Sequence, residues 1–449
     1  MKRVVILILI FFTSYINADD VDENWKIKVN NTLKGSLNRF HYIDQKIDDN
    51  YSKRVFELYL NRIDPNKHFL TNNQIVELTA HEYKIDNDIR TNNFHFLDLC
   101  ILRLKEQIEY VDSTYNTLLK QPLNIEDENY FEIDFEKKKY VKDNQELTKL
   151  WKSTIKYQTA QNYISLYKEK YPSKNEIIIE EKMELEARLK TKKDLNRRFK
   201  RLKEKTSKDF YIDYFDTITR SFGPHTTYLP PEEKEDFDIN MSGQLEGIGA
   251  VLREEDGFIK IVRIIPGSAS WRQGKLNAED IILKVTQPNQ EPVSIIETPV
   301  REAVKLIRGP KGTEVTLTVK KPDGIIENIA ITRDIVVIKS TYAKSGIFYL
   351  NQTPYGYINL PSFYRDFDNK NNRNASNDIK KSLEILNSNT VNGLILDLRN
   401  NGGGSLRDAV NISGFFIPKG PIVQVTNNYK RKDTYRDIDN ELYFEKPLI

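Results

Sequence analysis

The spacing of the apolar residues changes near Pro230-Pro231, and this change decides the fold class. From Asn24 to about Arg220 the apolar residues mostly recur three and four positions apart, as they do on helices packed through one face. Beyond Pro231, short β-branched runs alternate with turns marked by Gly and Pro. The sequence therefore predicts an α+β protein of several domains, with a helical N-terminal domain followed by domains that contain strands.

Length and composition limit the classes of protein to which the chain can belong. The 449 residues are enough for two to four domains, and 39% hydrophobic with 30% charged residues is typical of a soluble globular protein. The net charge of +3 is small for this length, which argues against a nucleic-acid binder. The crowded charges between Lys174 and Lys208 include interspersed Glu residues, which favours a solvated helix with ion pairs over a nucleic-acid patch.

The first residues predict export. Lys2 and Arg3 precede an apolar run from Val4 to Phe12, and Ile16-Asn17-Ala18 has the small final residue of a cleavage site. The run is well short of the ~20 apolar residues that a membrane-spanning helix needs. We therefore expect a signal peptide over residues 1–18 and a mature chain that begins near Asp19.

Cys100 is the single cysteine, so no internal disulfide can form even in an oxidising compartment. Its neighbours Leu97, Ile101, Leu104 and Ile108 are spaced as on one apolar helix face. This pattern predicts a buried core residue rather than a catalytic thiol.

After Asp334 the pattern changes again, to long buried strands that alternate with helices. The expected elements are strand Tyr357–Leu360, helix Asn377–Ser388, strand Gly393–Leu398 and, after the glycines at 402 to 404, helix Leu406–Phe416. A strand, a helix and a strand in this order predict a parallel pair in an α/β layer.

A short glycine motif, Gly247-Ile248-Gly249-Ala250, is a candidate peptide-binding site. Its glycines let consecutive N–H groups turn toward one anion, and the strand that follows offers an edge to which a peptide could add. A helix over Val300–Arg308 would form the other wall, with Val300, Val304 and Ile307 facing apolar end residues. A bulky residue at Gly249 is then expected to weaken tail binding and leave the fold intact. By spacing alone, a plain tight turn is the alternative.

The motif does not stand alone. Taken in order, Gly247-Ile248-Gly249-Ala250, Ile265 to Ala269, Asp280 to Ile282 and Ile307 to Thr313 resemble the PDZ domain of the tail-specific, or C-terminal processing, proteases. The resemblance continues upstream through Asp64 to Leu70 and Phe215 to Leu229, and downstream through Gly356 to Ile358 and Leu396 to Gly404. It thus extends over most of the mature chain.

The resemblance implies an architecture and an activity. It implies a helical domain over residues 19–229, a PDZ domain over 230–334 and the N-terminal part of an α/β, crotonase-like serine protease domain over 335–449. The implied activity is that of a periplasmic serine endopeptidase that selects proteins by apolar C-terminal tails, without cofactor or metal. An adaptor on the helical domain and a peripheral association with the inner membrane stay open.

In this family the nucleophilic serine is activated by a lysine, and the resemblance places both after a strand that begins near Lys446. They are therefore expected beyond Ile449, and the chain alone is expected to be inactive. The N–H groups of Gly403 and Gly404 would lie near the developing oxyanion. Ser405 and Ser362 are interpreted as structural or positioning residues.

Two alternatives remain open. The chain could bind tails as an adaptor that does not cleave, or it could be a split-gene fragment that needs a second polypeptide. For the loop from Gly402 to Gly404, the alternatives are a phosphate-cradling loop and a simple strand-to-helix turn.

Overall fold

The computed structural model describes residues 21–125, 137–174, 176–369, 372–427, 429–438 and 440–449. The predicted signal peptide, residues 1–18, lies outside these ranges. The described chain combines helices with mostly antiparallel sheets, which confirms the mixed helix-and-strand class. It divides into two compact units, one that ends at Tyr228 and one that begins at Leu229.

The first unit is helical, as its apolar spacing predicts. Its described helices are α1 (Glu23–Phe40), α2 (Asp49–Ile63), α3 (Asn72–Thr79), α4 (Ile85–Thr91), α5 (His95–Leu118), α6 (Asn144–Lys170), α7 (Glu181–Glu204) and α8 (Ser207–Arg220). Cys100 is fully buried in their common core, which confirms its interpretation as a core residue. Burial raises the pKa of its thiol well above the ordinary value, so the thiolate is disfavoured.

The second unit opens with a helix that the sequence analysis did not predict, α9 (Pro231–Ser242). Pro231 occupies its first turn together with Glu232 and Glu233, and Gly243 ends it in the left-handed region at φ +68°. None of its residues is buried, so it has no apolar stripe that periodicity could reveal. The sequence analysis names only Val300–Arg308 as a helix of this region, so α9 is an element that it misses.

Residues 244–337 form a sheet module, the name we use below. Its elements are β1 (Gln244–Gly247), β2 (Ala250–Glu255), β3 (Phe258–Ile264), α10 (Ala269–Gln273), β4 (Ile281–Thr286), β5 (Val293–Ser294), α11 (Val300–Ile307), β6 (Glu314–Lys320), β7 (Ile326–Thr332) and β8 (Asp334–Val337). The main sheet has the order β2-β3-β4-β6-β7, and β1 pairs separately with β8. Among the described strands β2 pairs only with β3, so its other edge is open.

The remaining residues build an α/β layer. Its elements are β9 (Lys344–Leu350), β10 (Thr353–Asn359), α12 (Ala375–Ser388), β11 (Leu394–Asp397), α13 (Leu406–Gly414), β12 (Gly420–Thr426) and β13 (Lys432–Asp437). β10 and β11 are parallel, which confirms the predicted strand-helix-strand unit. Residues 447–449 lie along the other side of β11, where the Leu394 N–H donates to the Pro447 carbonyl at 2.9 Å. None of the described helices has both the length and the hydropathy that crossing a membrane requires.

Candidate functional site

The motif at Gly247 to Ala250, called the nest below, connects β1 to β2 and has its carbonyl groups occupied. The Ile248 carbonyl accepts the Ser270 N–H at 2.9 Å, and the Gly249 carbonyl accepts the Ile265 N–H at 2.8 Å. Neither the Ile248 N–H nor the Gly249 N–H finds an acceptor among the described residues. Two adjacent donors are therefore available to an anion, beside the open edge of β2.

Gly249 is required by its backbone and by its packing. Its φ is +82°, and a Cβ built on it would lie 2.1 Å from the Cβ of Ser268. The Ser268 hydroxyl donates to the Gly249 carbonyl at 3.2 Å and accepts the Trp271 N–H, which caps α10. The expectation that a bulky residue at 249 leaves the fold intact is therefore wrong, because any side chain there must displace Ser268 or the backbone.

The three predicted wall residues of α11 have two different environments. Ile307 is buried in the core of the sheet module, so it does not face an open groove. Val300 and Val304 are half-buried and line a cleft of about 990 Å³. The other walls of this cleft come from α9, β1 and the stretch near Asp366, rather than from β2.

Helix α9 is joined to α11 by ion pairs. The three basic residues of the α11 segment contact three acidic residues of α9, in the pairs Arg301–Glu233, Arg301–Asp236, Lys305–Glu232 and Arg308–Asp236, at 3.7, 3.9, 2.8 and 2.9 Å. All of these side chains are at least partly exposed, so each pair contributes little by itself. Arg308 also reaches the nest, since its Cγ lies 3.7 Å from a Cβ built on Gly247.

The predicted oxyanion loop, Gly402 to Gly404, follows β11 as expected. The Gly403 N–H already donates to Asn401 Oδ1 at 2.8 Å, so in this conformation it is not available to an oxyanion. The Gly404 N–H has no acceptor among the residues that the structure describes. Gly404 has φ +142°, and a Cβ there would lie 2.4 Å from the Phe363 carbonyl oxygen. Of the two candidates, only Gly404 presents a donor.

A buried ion pair at the start of α13 stabilises the loop. Ser405 caps α13 by accepting the Asp408 N–H at 3.2 Å, and Asp408 binds Arg365 with two bonds of 2.5 and 2.8 Å. Burial acts to raise the pKa of Asp408, but bonds from Arg365, Ser405 and Ser376 outweigh it and leave the pKa lowered. This places Ser405 in a structural role.

Asp397, the last residue of β11, begins the turn into the loop. Its carboxylate accepts two bonds from the Arg399 guanidinium at 2.9 and 2.8 Å and one from the Tyr357 hydroxyl at 2.5 Å. These bonds, with Arg399 the largest contributor, hold the pKa of Asp397 well below its usual range. The charge of Asp397 is therefore kept at any pH near neutrality.

Ser362 differs from Ser405. Its hydroxyl is buried and has no hydrogen-bond partner among the described residues. It lies between Leu360, whose carbonyl accepts Asn401 Nδ2, and Phe363, which pairs with the glycine loop. The sequence analysis gives both serines the same interpretation, and only their tertiary contacts show that their environments differ. Within the described ranges no cluster of three or more His, Cys, Asp or Glu side chains is placed to hold a metal ion.

Two protein families match parts of the chain. The family described as "Tail specific protease N-terminal domain" matches residues 34–232, and "Peptidase family S41" matches residues 354–449. The first match covers the helical unit, and the second covers the layer that carries the glycine loop. The two matches together flank the sheet module.

Curated relatives agree with these families. The tail-specific protease of Haemophilus influenzae is 30% identical over 409 residues, which are 90% of this chain and 55% of the relative. The carboxy-terminal processing protease CtpA of Bacillus subtilis is 29% identical over 262 residues, 57% of this chain and 52% of the relative. The chain thus spans about half the length of these two relatives.

Solved structures give weaker likenesses. The PDZ domain of the carboxy-terminal protease from Vibrio cholerae, solved in complex with a peptide, is 33% identical and covers 21% of this chain and 97% of that one, with a TM-score of 0.20. The photosystem II D1 C-terminal processing protease is 16% identical and covers 65% of this chain and 72% of that one, with a TM-score of 0.27.

Proposed function

The chain belongs to the tail-specific protease family, and on this premise we propose that it recognises proteins by an apolar C-terminal tail and delivers them to serine-type proteolysis. The observation that carries the proposal is the pair of N–H donors at Ile248 and Gly249, which have no acceptor among the described residues and lie next to the open edge of β2. A C-terminal carboxylate has the charge and the acceptor geometry that such a nest binds.

The geometry around the nest supports a proposal for where the rest of the tail binds. Its backbone would pair with β2 as an added strand, because no described strand pairs with that edge. Its last side chains would enter the cleft that α11 shares with α9 and β1, where they would contact the half-buried Val300 and Val304. Apolar tails are therefore favoured, since they remove these side chains from water.

For proteolysis we propose the serine-lysine chemistry that the family resemblance implies, with the Gly404 N–H as one oxyanion donor. The resemblance places the serine and the lysine after Ile449, so we expect these 449 residues by themselves to bind tails without cleaving them. The predicted signal peptide, residues 1–18, supports the periplasm as the compartment. A tail-binding adaptor, or a fragment completed by a second polypeptide, is the second candidate function.

The test is a paired binding and cleavage assay with the full chain. The substrate is an unfolded protein that ends in an apolar tail, and the matched control is the same protein with an amidated C-terminus. We expect binding of the free tail only, without cleavage. Equal binding of both forms would contradict carboxylate capture by the nest.

Cleavage has its own meaning in this assay. Tail-dependent cleavage would place the nucleophile within the 449 residues and contradict the expected inactivity, and Ser362→Ala and Ser405→Ala would then identify it. Binding without cleavage leaves the two candidate functions to a second step. In that step a polypeptide carrying the family's serine and lysine either restores cleavage, as the protease proposal requires, or leaves an adaptor.

A further inference from the structure

Arg333 is a buried cation whose described hydrogen-bond acceptors are all neutral. It lies between β7 and β8, it is 3% exposed, and no carboxylate among the described residues forms an ion pair with it. Its guanidinium instead donates five hydrogen bonds to neutral acceptors: Ile307 O at 2.9 Å, Leu306 O at 3.3 Å, Thr313 Oγ1 at 2.9 Å, Glu314 O at 3.0 Å and Gln287 Oε1 at 2.9 Å.

A buried charge of this kind is costly, so its acceptors must compensate it. Burial lowers the pKa of Arg333, yet an arginine stays charged in proteins. Two of its acceptors, the carbonyls of Leu306 and Ile307, are at the C-terminus of α11, where the helix dipole is negative. The partial negative charge at the end of α11 thus takes the place of a carboxylate.

The same residue is joined to the nest through its backbone. Asp334, the next residue, is the β8 partner of Gly247 in β1. The guanidinium thus bonds to the end of α11, and the main chain continues into the strand that pairs with the nest. Gln287 reinforces the link, because its Nε2 also donates to Leu306 O at 2.7 Å.

Gly309 fits this arrangement. It follows the end of α11, and a Cβ built on it would lie 2.9 Å from Arg333 Nε and 3.0 Å from Cζ. The guanidinium therefore reaches the helix end only because residue 309 has no side chain. The missing side chain at residue 309 thus leaves the space that the Arg333 guanidinium occupies.

We propose that Arg333 is a positioning residue for tail binding, which fixes the last turn of α11 at a set distance from the nest so that one tail can use both. This inference rests on the proposed function for its tail. Arg333 itself touches no substrate. The proposal predicts that tail affinity depends on the several N–H donors of the planar guanidinium, the fork, as well as on its charge.

The test uses the full chain and a fluorescent ten-residue peptide with an apolar end, in free and amidated forms. Affinity is followed by anisotropy, and stability by thermal unfolding. Arg333→Lys keeps the charge and removes the fork. The matched control is Lys321→Gln, which changes another cation of the module, bonded to the buried Asp280 at 2.8 Å beyond the opposite end of β7.

We expect Arg333→Lys to weaken binding of the free-carboxylate peptide at least tenfold at a temperature where the variant is folded. Lys321→Gln should lower the unfolding temperature and change the affinity less than twofold. Affinity losses that follow the stability losses equally in both variants would overturn the proposal. If Arg333→Lys does not fold, Gln287→Leu removes one acceptor of the guanidinium, and an unchanged affinity there overturns it as well.

Amide exchange separates this inference from the proposed function. Exchange of residues 304–308 should accelerate in Arg333→Lys and not in Lys321→Gln. A wild-type chain that binds neither peptide would contradict the proposed function. In that case equal exchange of the last turn of α11 in both variants would still overturn the positioning role, and selective acceleration would support it.

Discussion

The nest and the glycine loop both follow a strand and both depend on glycine, but they leave different groups available. In the nest the carbonyls of Ile248 and Gly249 are bound by neighbouring N–H groups, and their own N–H groups are unpartnered among the described residues. In the loop the Gly403 N–H is already bound by Asn401, and Gly404 is pressed against the Phe363 backbone. A Gly-rich sequence therefore does not by itself indicate an anion site.

The two loops also differ in the side chains that hold them. The nest is fixed by backbone hydrogen bonds and by contact with Ser268, none of which titrates. The loop also has backbone bonds, from the Phe363 N–H to the Gly403 carbonyl and from the Ser405 N–H to the Phe363 carbonyl. In addition, side chains hold it, directly through Asn401 and indirectly through the Arg365–Asp408 pair and Asp397. Substitutions that remove charge should therefore affect the loop, and substitutions that add volume should affect the nest.

Asp408→Ala should have the largest effect, a loss of about 3–5 kcal/mol in the free energy of unfolding. It leaves the Arg365 guanidinium, 12% exposed, without its anion, and leaves the Ser376 N–H without its acceptor. Urea unfolding followed by circular dichroism measures it. The control is Arg399→Ala, which breaks a pair whose arginine is 83% exposed. If the two variants lose the same stability, buried charge does not anchor the loop.

Gly249→Ala should cost about 2–4 kcal/mol, from a strained φ and from overlap with Ser268. The matched control is Gly274→Ala, because Gly274 has a similar φ of +79° but no atom within 4 Å of the added Cβ. The control should lose only about 1–2 kcal/mol. Thermal unfolding of both variants isolates the packing contribution, and equal losses would show that the Ser268 contact can relax.

The elements that the sequence predicted are those with a buried face. The helices of the first unit and the parallel β10–β11 pair carry regular apolar patterns, so their spacing identifies them. Helix α9 was missed because its residues are all at least partly exposed, and only its capping residues signal it. The capping pattern of Pro231, the two glutamates and Gly243 was present in the sequence and could have been used.

For the candidate site, the sequence supplies candidate positions but not their contacts. The glycines at 247, 249, 403 and 404 could be located from motifs and from the family resemblance. The pairing of Asn401 with Gly403, the burial of Ile307 and the contact of Arg333 with α11 could not, because each depends on how the backbone folds around it. Motifs locate donors, whereas tertiary contacts decide which donors remain available.

Asn401→Ala should cost about 1–2 kcal/mol, since it removes the acceptor of the Gly403 N–H and the donor to the Leu360 carbonyl, both at 2.8 Å. Amide exchange at Gly403 should accelerate while the nest is unaffected. The control is Asn387→Ala, which removes one exposed bond to the Tyr443 carbonyl. Unchanged exchange at Gly403 would mean that the loop does not depend on this side chain, and the contrast with the nest would weaken.

Arg399→Gln should have the smallest effect on stability and a clear effect on one pKa. Arg399 provides the largest of the contributions that lower the pKa of Asp397, so in the variant this pKa should rise toward the ordinary value for Asp.

A carboxyl with a lowered folded pKa stabilises the fold above its unfolded pKa, and this stabilisation is lost as the pH falls through the folded value. The wild-type loop should therefore stay ordered to lower pH than the loop of the variant. Carbon NMR of the Asp397 carboxyl during acid titration measures both pKa values. The same titration should leave the nest unchanged, because its described bonds join backbone groups and the Ser268 hydroxyl. A matching change at Gly249 would contradict the distinction between the two loops.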